Sequence, residues 1–566
     1  MRLKRPITTT RIALLLLLAS LIVGLELYYP ALRAPFVFDD FVSPYSHALG
    51  QHERFIAWLS GVRPVLMLTY WLDDRLFGES PLGYHILNLL IHVFNTALVF
   101  LVLNRLIEFA GRWKPRTRMA ASLVGAALFL VHPLETESVS YVAGRSESLA
   151  ALFMLLAYAV FLYRPQESIS WARSLVVLAL FGLAAGSKEN AVSLAGVLVL
   201  TDAFWPQPFS TRGLRNNWRL YAAMVPGATA AVWEVFRILS TSTSAGFAVR
   251  TATWYQYAFT EARAIFVYFR MALVPYGQSI DHDYPVSHTV LDHGALYYLI
   301  ALGLLLAACI VWRKRYPLAC FGLLLALVLL APTSSVVPIA DPLVERRMYL
   351  PLMGLILIGC EAASRIRVTP LTAYTAAGAL VIVYAVLCYQ RNELWSQPSQ
   401  LWATAALEST GKSRPYANLV NQLVVEHRCA AGIPYLRRAE QVLPNNYDVE
   451  IGWSRIYECM GQAADALPHL ERAVELRPDT HTYQLLGLLY GEMGKRAEAG
   501  EALQKAVTLD PRSVLAHNAL ALWYAWTHNL DAAMKEYQTS LAINPKNRTA
   551  REGIEGLRRA QSFSYK

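Results

Sequence analysis

Residues 12–29 have the sequence IALLLLLASLIVGLELYY, an apolar run of eighteen residues whose only charged side chain is Glu26. An α-helix of that length is about 27 Å long, close to the hydrocarbon core of a bilayer at about 30 Å. Four basic residues precede the run: Arg2, Lys4, Arg5 and Arg11. No convincing small-residue cleavage site follows it. The segment therefore predicts an uncleaved signal anchor with a cytoplasmic N-terminus.

Ten further apolar runs follow, and with the first they decide the class of the protein. Hydrophobic residues make up 55% of the 566 residues, charged residues only 16%, and the mean hydropathy is +0.32. So few charges could not cover a soluble protein of this size, which excludes that class. The sequence predicts an all-α, polytopic membrane bundle of about eleven transmembrane helices. The ten runs lie at about 83–104, 119–132, 147–163, 174–186, 189–204, 220–240, 292–312, 317–331, 350–364 and 371–389.

Basic residues in alternate loops predict the orientation. With a cytoplasmic N-terminus, every second loop should be cytoplasmic, and each of these loops contains arginine or lysine. They are Arg105, Arg112, Lys114, Arg116 and Arg118, then Arg164 and Arg173, then Arg212, Arg215 and Arg219, then Arg313, Lys314 and Arg315, and finally Arg365 and Arg367. Everything after about Tyr389 would then lie outside the cytoplasm.

Two features of charge need separate treatment. Residues 257–275 are apolar but contain Glu261, Arg263 and Arg270, and a span there would reverse every later loop. We expect a helix that lies in the interface or packs on the bundle.

The net charge of +10 and the pI of about 9.2 would suit nucleic acid as a partner. No basic stripe interleaved with aromatic residues is present in the sequence, so nucleic acid is excluded.

After Tyr389 the sequence repeats with a period of about 34 residues. Prolines recur with spacings of 34, 33 and 34, at Pro444, Pro478, Pro511 and Pro545. Five residues before each lies a small side chain: Ala439, Ala473, Ala506 and Ser540. Aromatic residues recur in step at Tyr457, Tyr490 and Tyr524. The inter-helix turns contain Gly461 and Gly494, and the third contains His528 and Asn529. This pattern resembles the tetratricopeptide repeat (TPR).

Three repeats are clear, and a degenerate one lies at about 411–444. The small residue lets paired helices approach closely, and the proline begins the next repeat. Such an array forms a concave α-solenoid that holds a peptide or a partner protein. The predicted domains are therefore a membrane domain at 1–390 and an extracytoplasmic TPR domain at 391–566.

The remaining charges of the membrane half gather on the loops assigned to the outside. Ionisable groups at a membrane are costly and usually functional, although each motif alone fits an ordinary helix end. Paired carboxylates beside paired arginines suit transfer from a lipid-linked phosphate. A carboxylate deprotonates or orients the acceptor, and an arginine stabilises charge on the departing phosphate. The principal residues are Asp39, Asp40, Arg63, His132, Glu135, Glu137, Arg145, Glu147, Lys188, Glu189, Glu345, Arg346 and Arg347.

Four strings in this order resemble a known family. FVFDDF, HPLETESVSYVAGRSESLAALF, SKENA and ERRMYLP, followed by TPRs, are similar to the transmembrane-and-TPR O-mannosyltransferases of the C-type glycosyltransferase (GT-C) superfamily. The resemblance implies a membrane glycosyltransferase that uses a polyprenyl-phosphate-linked sugar as donor. The acceptor it implies is an extracytoplasmic protein or peptide with Ser/Thr hydroxyls, held by the TPRs, or alternatively a glycan. This chain has fewer repeats than the animal members. We expect a multi-pass protein of a bacterial inner membrane with periplasmic TPRs, or of the endoplasmic reticulum membrane.

The resemblance also implies roles for individual residues. An acidic residue soon after the first span acts as catalytic base, which matches the pair Asp39 and Asp40, with Asp39 preferred. Arg346, with Arg347 as second choice, would hold the lipid phosphate, and Glu345 belongs to the same string. Lys188 and Glu189 either line the site or form a structural ion pair. The cavity below the acidic pair would be lined by His132, Glu135, Glu137 and Arg145.

Several alternatives stay open. Asp39, Asp40, His132 and Glu135 could hold a divalent metal ion together with phosphate, so metal dependence is undecided. The chain could instead be a non-catalytic membrane scaffold whose TPRs recruit partners, or a transporter or flippase for a lipid-linked sugar. A scaffold has no use for acidic and arginine pairs on the same side of the membrane. A transporter would tend to bury charges near mid-membrane and show repeated halves, and neither is seen in the sequence.

The six cysteines divide into two groups. Cys309, Cys320, Cys360 and Cys388 lie in or near predicted spans and serve as small apolar residues. Cys429 and Cys459 are the two in the predicted extracytoplasmic domain, near the inter-helix turns of consecutive repeats. An oxidising compartment would permit a disulfide between them.

Overall fold

We describe a computed structural model of the chain. It describes residues 7–42, 61–205, 209–241 and 252–564, together with Phe55, Leu59 and Gly246. The basic residues Arg2, Lys4 and Arg5 lie outside the described residues. The chain divides into two compact units, Met1–Gln397 and Pro398–Lys566.

Both units are helical, and the described residues contain no β-strand, so the all-α prediction is confirmed. The helices of the first unit are α1 (Ile7–Leu32), α2 (Pro64–Phe77), α3 (Pro81–Phe109), α4 (Pro115–Val131), α5 (Thr136–Val139), α6 (Arg145–Leu162), α7 (Trp171–Ala185), α8 (Ser193–Phe204), α9 (Arg212–Asn216), α10 (Trp218–Thr241), α11 (Trp254–Leu273), α12 (Ala295–Trp312), α13 (Pro317–Leu330), α14 (Pro351–Ala363) and α15 (Pro370–Trp395).

A helix occupies each of the eleven predicted apolar runs. Five stretches are long and apolar enough to cross a membrane: Ile12–Leu32, Pro81–Phe109, Val142–Leu162, Asp292–Trp312 and Pro370–Trp395. The pair Pro115–Val131 and Pro133–Val139, bent by 50°, would make a sixth. Three more apolar helices are shorter: α7, α13 and α14. The first unit thus contains several helices that are long and apolar enough to cross a membrane. The count of eleven spans stays a prediction.

Helix α11 covers most of the charged segment 257–275. The sequence allowed two arrangements for it: in the membrane interface or packed on the bundle. Glu261 and Arg263 are buried, 1% and 8% exposed, whereas Trp254 and Leu273 at its two ends are exposed. The Arg263 guanidinium donates hydrogen bonds to Pro285 O and Ser287 Oγ, both at 2.9 Å. The helix therefore packs on the bundle through the face that contains Glu261 and Arg263, whereas Arg270 is exposed.

The chain between α4 and α6 turns back into the bundle. Pro133 ends α4, and residues 133–144 form two 3-10 turns, Pro133–Glu135 and Val142–Gly144, on either side of the single helical turn α5. Every residue from His132 to Val142 is buried. We call residues 132–144 the buried turn.

Three polar side chains on α3 satisfy backbone carbonyls of the buried turn and its neighbours. Asn88 donates to Val139 O at 3.1 Å and Tyr141 O at 3.2 Å. His92 contacts Leu130 O at 3.1 Å, and Asn95 donates to Ser148 O at 2.8 Å. Non-helical backbone buried in a protein requires such partners, because unpaired buried polar groups are costly.

The second unit consists of paired helices. They are α16 (Pro398–Glu408), α17 (Arg414–Val425), α18 (Ile433–Val442), α19 (Tyr447–Cys459), α20 (Ala463–Leu476), α21 (Thr480–Glu492), α22 (Arg496–Leu509), α23 (Val514–Trp526), α24 (Leu530–Ile543) and α25 (Arg548–Ser564). The small residues predicted between paired helices, Ala439, Ala473, Ala506 and Ser540, are all 0% exposed, as close helix packing requires. Gly461 and Gly494 have φ of +73° and +77°, the left-handed conformation that glycine adopts without strain.

The structure forms the disulfide that the sequence left open. Cys429 and Cys459 are bonded, with their Cα atoms 6.0 Å apart. The bond joins the turn after α17 to the last residue of α19, so it ties the degenerate first repeat to the second. The four other cysteines are free and buried.

The loops predicted to lie on opposite sides of the membrane can be tested by labelling. A cysteine at Ser335, which is partly exposed, should react in intact cells with a membrane-impermeant thiol reagent. A cysteine at Thr117 should not, because the positive-inside rule places it in the cytoplasm. Thr117 is exposed in the structure, so it should react once the cells are permeabilised. Labelling of Thr117 in intact cells would reverse the orientation.

Candidate functional site

Asp39 and Asp40 follow α1 in a 3-10 turn, Phe38–Val42, and the structure separates their roles. The Asp40 carboxylate accepts the Val37 N–H at 3.0 Å and the Ala143 N–H at 2.8 Å, and the residue is 1% exposed. Asp40 therefore fastens the acidic turn to the buried turn. Asp39 is partly exposed, so it is the member of the pair that a ligand can meet.

Tyr141 of the buried turn lies beside both the acidic turn and an arginine. Its Oη accepts the backbone N–H of Asp39 at 3.0 Å, and the Arg346 guanidinium lies 5.9 Å from its ring centroid. Its ring stacks with Trp395 at 5.8 Å and Phe38 at 6.5 Å. Burial, with the nearby carboxylates of Asp40 and Asp39, raises the pKa of Tyr141 well above its ordinary value. The phenol therefore stays neutral.

Glu137 holds Arg346 by both its backbone and its side chain. One carboxylate oxygen accepts the Arg346 backbone N–H at 2.8 Å, and the other accepts from Arg346 Nη1. The carboxylate is 3% exposed and the Arg346 side chain 24% exposed. Glu137 thus fixes one edge of the guanidinium, and the rest of it is accessible. An arginine fixed in this way is suited to binding an anion.

The neighbours of Arg346 anchor its segment. Buried Glu345 accepts from Ser279 N at 2.6 Å, Gln278 Nε2 at 2.7 Å and His282 Nε2 at 3.0 Å. Burial alone would raise the pKa of Glu345, but the charge of Arg391 and the bond from His282 hold it below its ordinary value. Arg347, also buried, donates to Pro342 O and Asp341 O, both at 2.7 Å. The geometry therefore favours Arg346 over Arg347 as the ligand-binding arginine.

Lys188 and Glu189 do not pair with each other, and each forms an ion pair with another residue instead. Lys188 has an extended backbone, φ −159° and ψ 143°, which directs neighbouring side chains to opposite sides. Lys188 pairs with Glu147, and Glu189 accepts from Arg63 Nε at 2.9 Å and Nη2 at 2.8 Å. Burial lowers the pKa of Lys188 to about 8, although Glu147 opposes the shift. Lys188 and Glu189 thus tie their loop to two segments that are distant in sequence: α6, which contains Glu147, and the start of α2, next to Arg63.

Arg145 and His132 are buried and hydrogen-bonded within the bundle. Arg145 is 0% exposed and pairs with Asp73 at 2.5 Å. It also donates to Asn88 Oδ1 at 2.5 Å and Tyr84 O at 2.9 Å. His132 Nε2 contacts Ala272 O at 3.0 Å, and its Nδ1 accepts the Leu134 N–H at 3.2 Å. The polar atoms of both side chains thus form contacts within the bundle.

Glu135 is 0% exposed, and within the described residues neither of its carboxylate oxygens has a hydrogen-bond partner. The structure places it in the bundle interior. In the part of the chain that the structure describes, no three His, Cys, Asp or Glu side chains are arranged to hold a metal ion. Asp39, Asp40, His132 and Glu135 therefore do not form such a group.

Sequence reasoning did not assign roles to four residues that the structure brings to this end of the bundle. Tyr141 and Glu147 lie within the string HPLETESVSYVAGRSESLAALF, and that motif was the sequence feature that could have pointed to them. Arg63 and Asp73 lie on loop and helix positions with no motif of their own. Their partners, Glu189 and Arg145, are 126 and 72 residues away, so spacing could not reveal the pairs.

Comparison with known proteins confirms the resemblance drawn from the ordered motifs. Protein O-mannosyl-transferase TMTC3 of Mus musculus is 23% identical over 503 residues, which cover 79% of this chain and 53% of that protein. TMTC3 of Homo sapiens is 22% identical over 605 residues, 86% of this chain and 62% of that protein. This chain resembles the protein O-mannosyl-transferases. It spans about half to three fifths of the length of these two relatives.

One of the repeats is also matched by a family model. The tetratricopeptide-repeat family model matches residues 480–513, which contain α21 and α22. Among solved structures, a thermophilic TPR protein of Thermus thermophilus, TTC0263, is 20% identical and covers 31% of this chain and 94% of that chain, with a TM-score of 0.26.

The division of labour between Asp39 and Asp40 predicts different effects on stability. Asp40→Asn should lower the free energy of unfolding by about 1–3 kcal/mol, because an amide NH₂ replaces an oxygen that accepts a buried backbone N–H. Asp39→Asn should change it little, since Asp39 is partly exposed. Thermal unfolding of both variants in the same detergent measures the difference. Equal effects would show that Asp40 does not anchor the turn.

Proposed function

We propose that this chain is a membrane glycosyltransferase of the GT-C type. It moves a sugar from a polyprenyl-phosphate donor to an extracytoplasmic acceptor, namely Ser/Thr hydroxyls of a protein or peptide held by the TPRs. The protein is multi-pass, in a bacterial inner membrane with periplasmic repeats or in the endoplasmic reticulum membrane. The similarity to protein O-mannosyl-transferases supports the reaction class.

One observation supports the site more than any other. The acidic turn (Phe38–Val42) and the arginine segment (Glu345–Met348) both contact Tyr141. The backbone N–H of Asp39 donates a hydrogen bond to the Tyr141 hydroxyl, and the Arg346 guanidinium lies beside the Tyr141 ring. Asp39 and Arg346 are nevertheless remote in sequence. A base and an anion-binding cation on adjoining segments are the two groups that transfer from a phosphate needs.

The proposed step is a displacement at the anomeric carbon. Asp39 accepts the proton of the acceptor hydroxyl as its oxygen forms a bond to the sugar. The bond between the anomeric carbon and the phosphate oxygen breaks, and its electron pair remains on the polyprenyl phosphate. Arg346 stabilises the charge that develops there, and Glu137 keeps the guanidinium in position. Bidentate arginine contacts suit phosphate oxygens by both charge and geometry.

Burial of charge argues against a passive scaffold. Glu137, Glu147 and Glu345 are all at most 6% exposed, and each is held by a cationic or donor group. Replacing buried ion pairs by apolar residues is often neutral or stabilising, so stability alone gives little reason to keep them at this end of the bundle.

The role of Asp39 can be tested directly. Asp39→Asn removes the charge but keeps the shape, so sugar transfer in membranes should fall by about 100–1000-fold, a loss of about 2.7–4 kcal/mol of transition-state stabilisation. Glu79→Gln, at an exposed position in the same half of the chain, is the matched control and should keep full activity. Full activity of Asp39→Asn would remove Asp39 as the base. If Asp40→Asn were also fully active, the enzymatic proposal would fail.

The donor site gives a second test. Arg346→Ala should raise the KM for the polyprenyl-phosphate sugar far more than Arg346→Lys, because lysine keeps the charge and loses only the fork geometry. Glu137→Gln should also raise this KM, since it loosens the guanidinium without changing the charge of Arg346. Steady-state kinetics with varied donor measure these effects. An unchanged donor KM in Arg346→Ala would exclude Arg346 from the site.

A further inference from the structure

Tyr141 is held in one orientation within the buried turn. It is 1% exposed, and its ring is nearly parallel to the Trp395 ring, with the centroids 5.8 Å apart and 17° between the planes. Trp395 is itself fixed, because its indole N–H donates to Thr136 Oγ1 at 3.3 Å. A rotation of the Tyr141 side chain would break this packing, so its hydroxyl stays in one position.

The hydroxyl of Tyr141 contacts both the backbone and the side chain of Asp39. It accepts the Asp39 N–H at 3.0 Å, and it forms a second hydrogen bond with the Asp39 side chain. An ionised carboxylate can only accept, so the phenol is the donor in this second bond. One hydroxyl therefore restrains both the backbone and the carboxylate of Asp39.

The acidic turn requires contacts of this kind because its backbone is strained. Phe38 has φ of +52°, a conformation that is unfavourable for a residue with a Cβ atom and persists only where the surroundings enforce it. Asp40 ties the turn to the Ala143 N–H at 2.8 Å. Tyr141 adds a contact to Asp39 itself, the residue of the turn that we propose as the base.

The ring of Tyr141 makes a separate contact, with Arg346. The guanidinium carbon lies 5.9 Å from the ring centroid, within the range of about 6 Å over which an aromatic ring attracts a cation. Glu137 fixes one edge of the same guanidinium. Phenol and benzene rings both attract cations, so this contact depends on the ring and not on the hydroxyl. Mutation can therefore separate the two contacts of Tyr141.

We propose that Tyr141 is a positioning residue of the transfer reaction: its hydroxyl aims the Asp39 carboxylate at the acceptor hydroxyl, and its ring helps to hold Arg346 against the donor phosphate. The inference rests on the proposed function, in which Asp39 is the base and Arg346 binds the phosphate. Tyr141 is buried, so it acts through these two residues and touches neither substrate. It exchanges no proton, since Asp39 takes the proton of the acceptor and the phenol keeps its own.

Tyr141→Phe removes the hydroxyl and keeps the ring. The kcat of sugar transfer in membranes should fall about 10–100-fold, as expected for the loss of one hydrogen bond to a charged group. The KM for the polyprenyl-phosphate sugar should stay within about twofold of wild type, because the ring still faces Arg346. A structural role in packing predicts no change in kcat, and an unchanged kcat would overturn the proposal.

Tyr158→Phe is the matched control. It removes another buried hydroxyl of the first unit, one that is hydrogen-bonded to Thr201 Oγ1 at 2.8 Å. It should change neither kcat nor the donor KM. A loss of kcat equal to that of Tyr141→Phe would show that any buried hydroxyl of the bundle has this effect, and the proposal would be overturned.

A double variant tests whether the hydroxyl acts through Asp39. In the Asp39→Asn background, Tyr141→Phe should lower kcat no further, because the base that it aims is already lost. A loss by the same factor in both backgrounds would assign the hydroxyl to another role and overturn the proposal. Thermal unfolding of all the variants in the same detergent checks that each of them is folded.

Tyr141→Leu tests the ring. It should lower kcat as Tyr141→Phe does and should also raise the donor KM, by at least about threefold for the loss of a cation–π contact. Tyr141→Met takes its place if the leucine variant does not fold. Equal donor KM values in the leucine and phenylalanine variants would exclude the ring from the Arg346 site.

Failure of this inference and failure of the proposed function give different results. Full activity of Asp39→Asn rejects the proposed base, whereas wild-type kcat in Tyr141→Phe beside a strongly impaired Asp39→Asn rejects the positioning role alone. If the wild-type chain transfers no sugar, the proposed function fails, and unfolding still tests the contact. The Tm losses of Tyr141→Phe and Asp39→Ala should then sum to more than the loss in the double variant, and additive losses would overturn the inference.

Discussion

The first unit depends on satisfying backbone polar groups inside an apolar bundle. The buried turn at 132–144 has no continuous helix to pair its carbonyls, and the polar side chains of α3 supply the missing donors. Asn88 serves two of these carbonyls and also accepts from Arg145, so one amide fixes both the turn and the start of α6. Because buried backbone polar groups need partners, the turn and α3 constrain each other.

The candidate site forms where this turn meets two other segments. Asp40 attaches the acidic turn to Ala143, and Glu137 attaches the arginine segment, so Asp39 and Arg346 are placed by groups that a ligand need not touch. Positioning of this kind matters for catalysis because a preorganised charge need not reorganise during the reaction. Tyr141 is buried and contacts both the backbone of Asp39, the proposed base, and the Arg346 guanidinium.

The second unit follows a different rule. Its stability comes from contacts between neighbouring repeats, so each small residue at a helix crossing matters to two helices only. The degenerate first repeat has weaker consensus packing, and the Cys429–Cys459 bond supplies a covalent link to its neighbour.

The sequence by itself determined the class of each half, because hydrophobic length and a period of about 34 residues are local properties of the chain. It also pointed to Asp39 and Arg346 through the order of the motifs, and it left the Cys429–Cys459 bond open until the structure brought the two turns together. The tertiary structure decided which charges pair. Glu137 and Arg346 are separated by 209 residues, and Lys188 turns away from adjacent Glu189 to reach Glu147. Such partners are set by how helices pack and by the cost of leaving a buried charge alone, and no spacing along the chain encodes either.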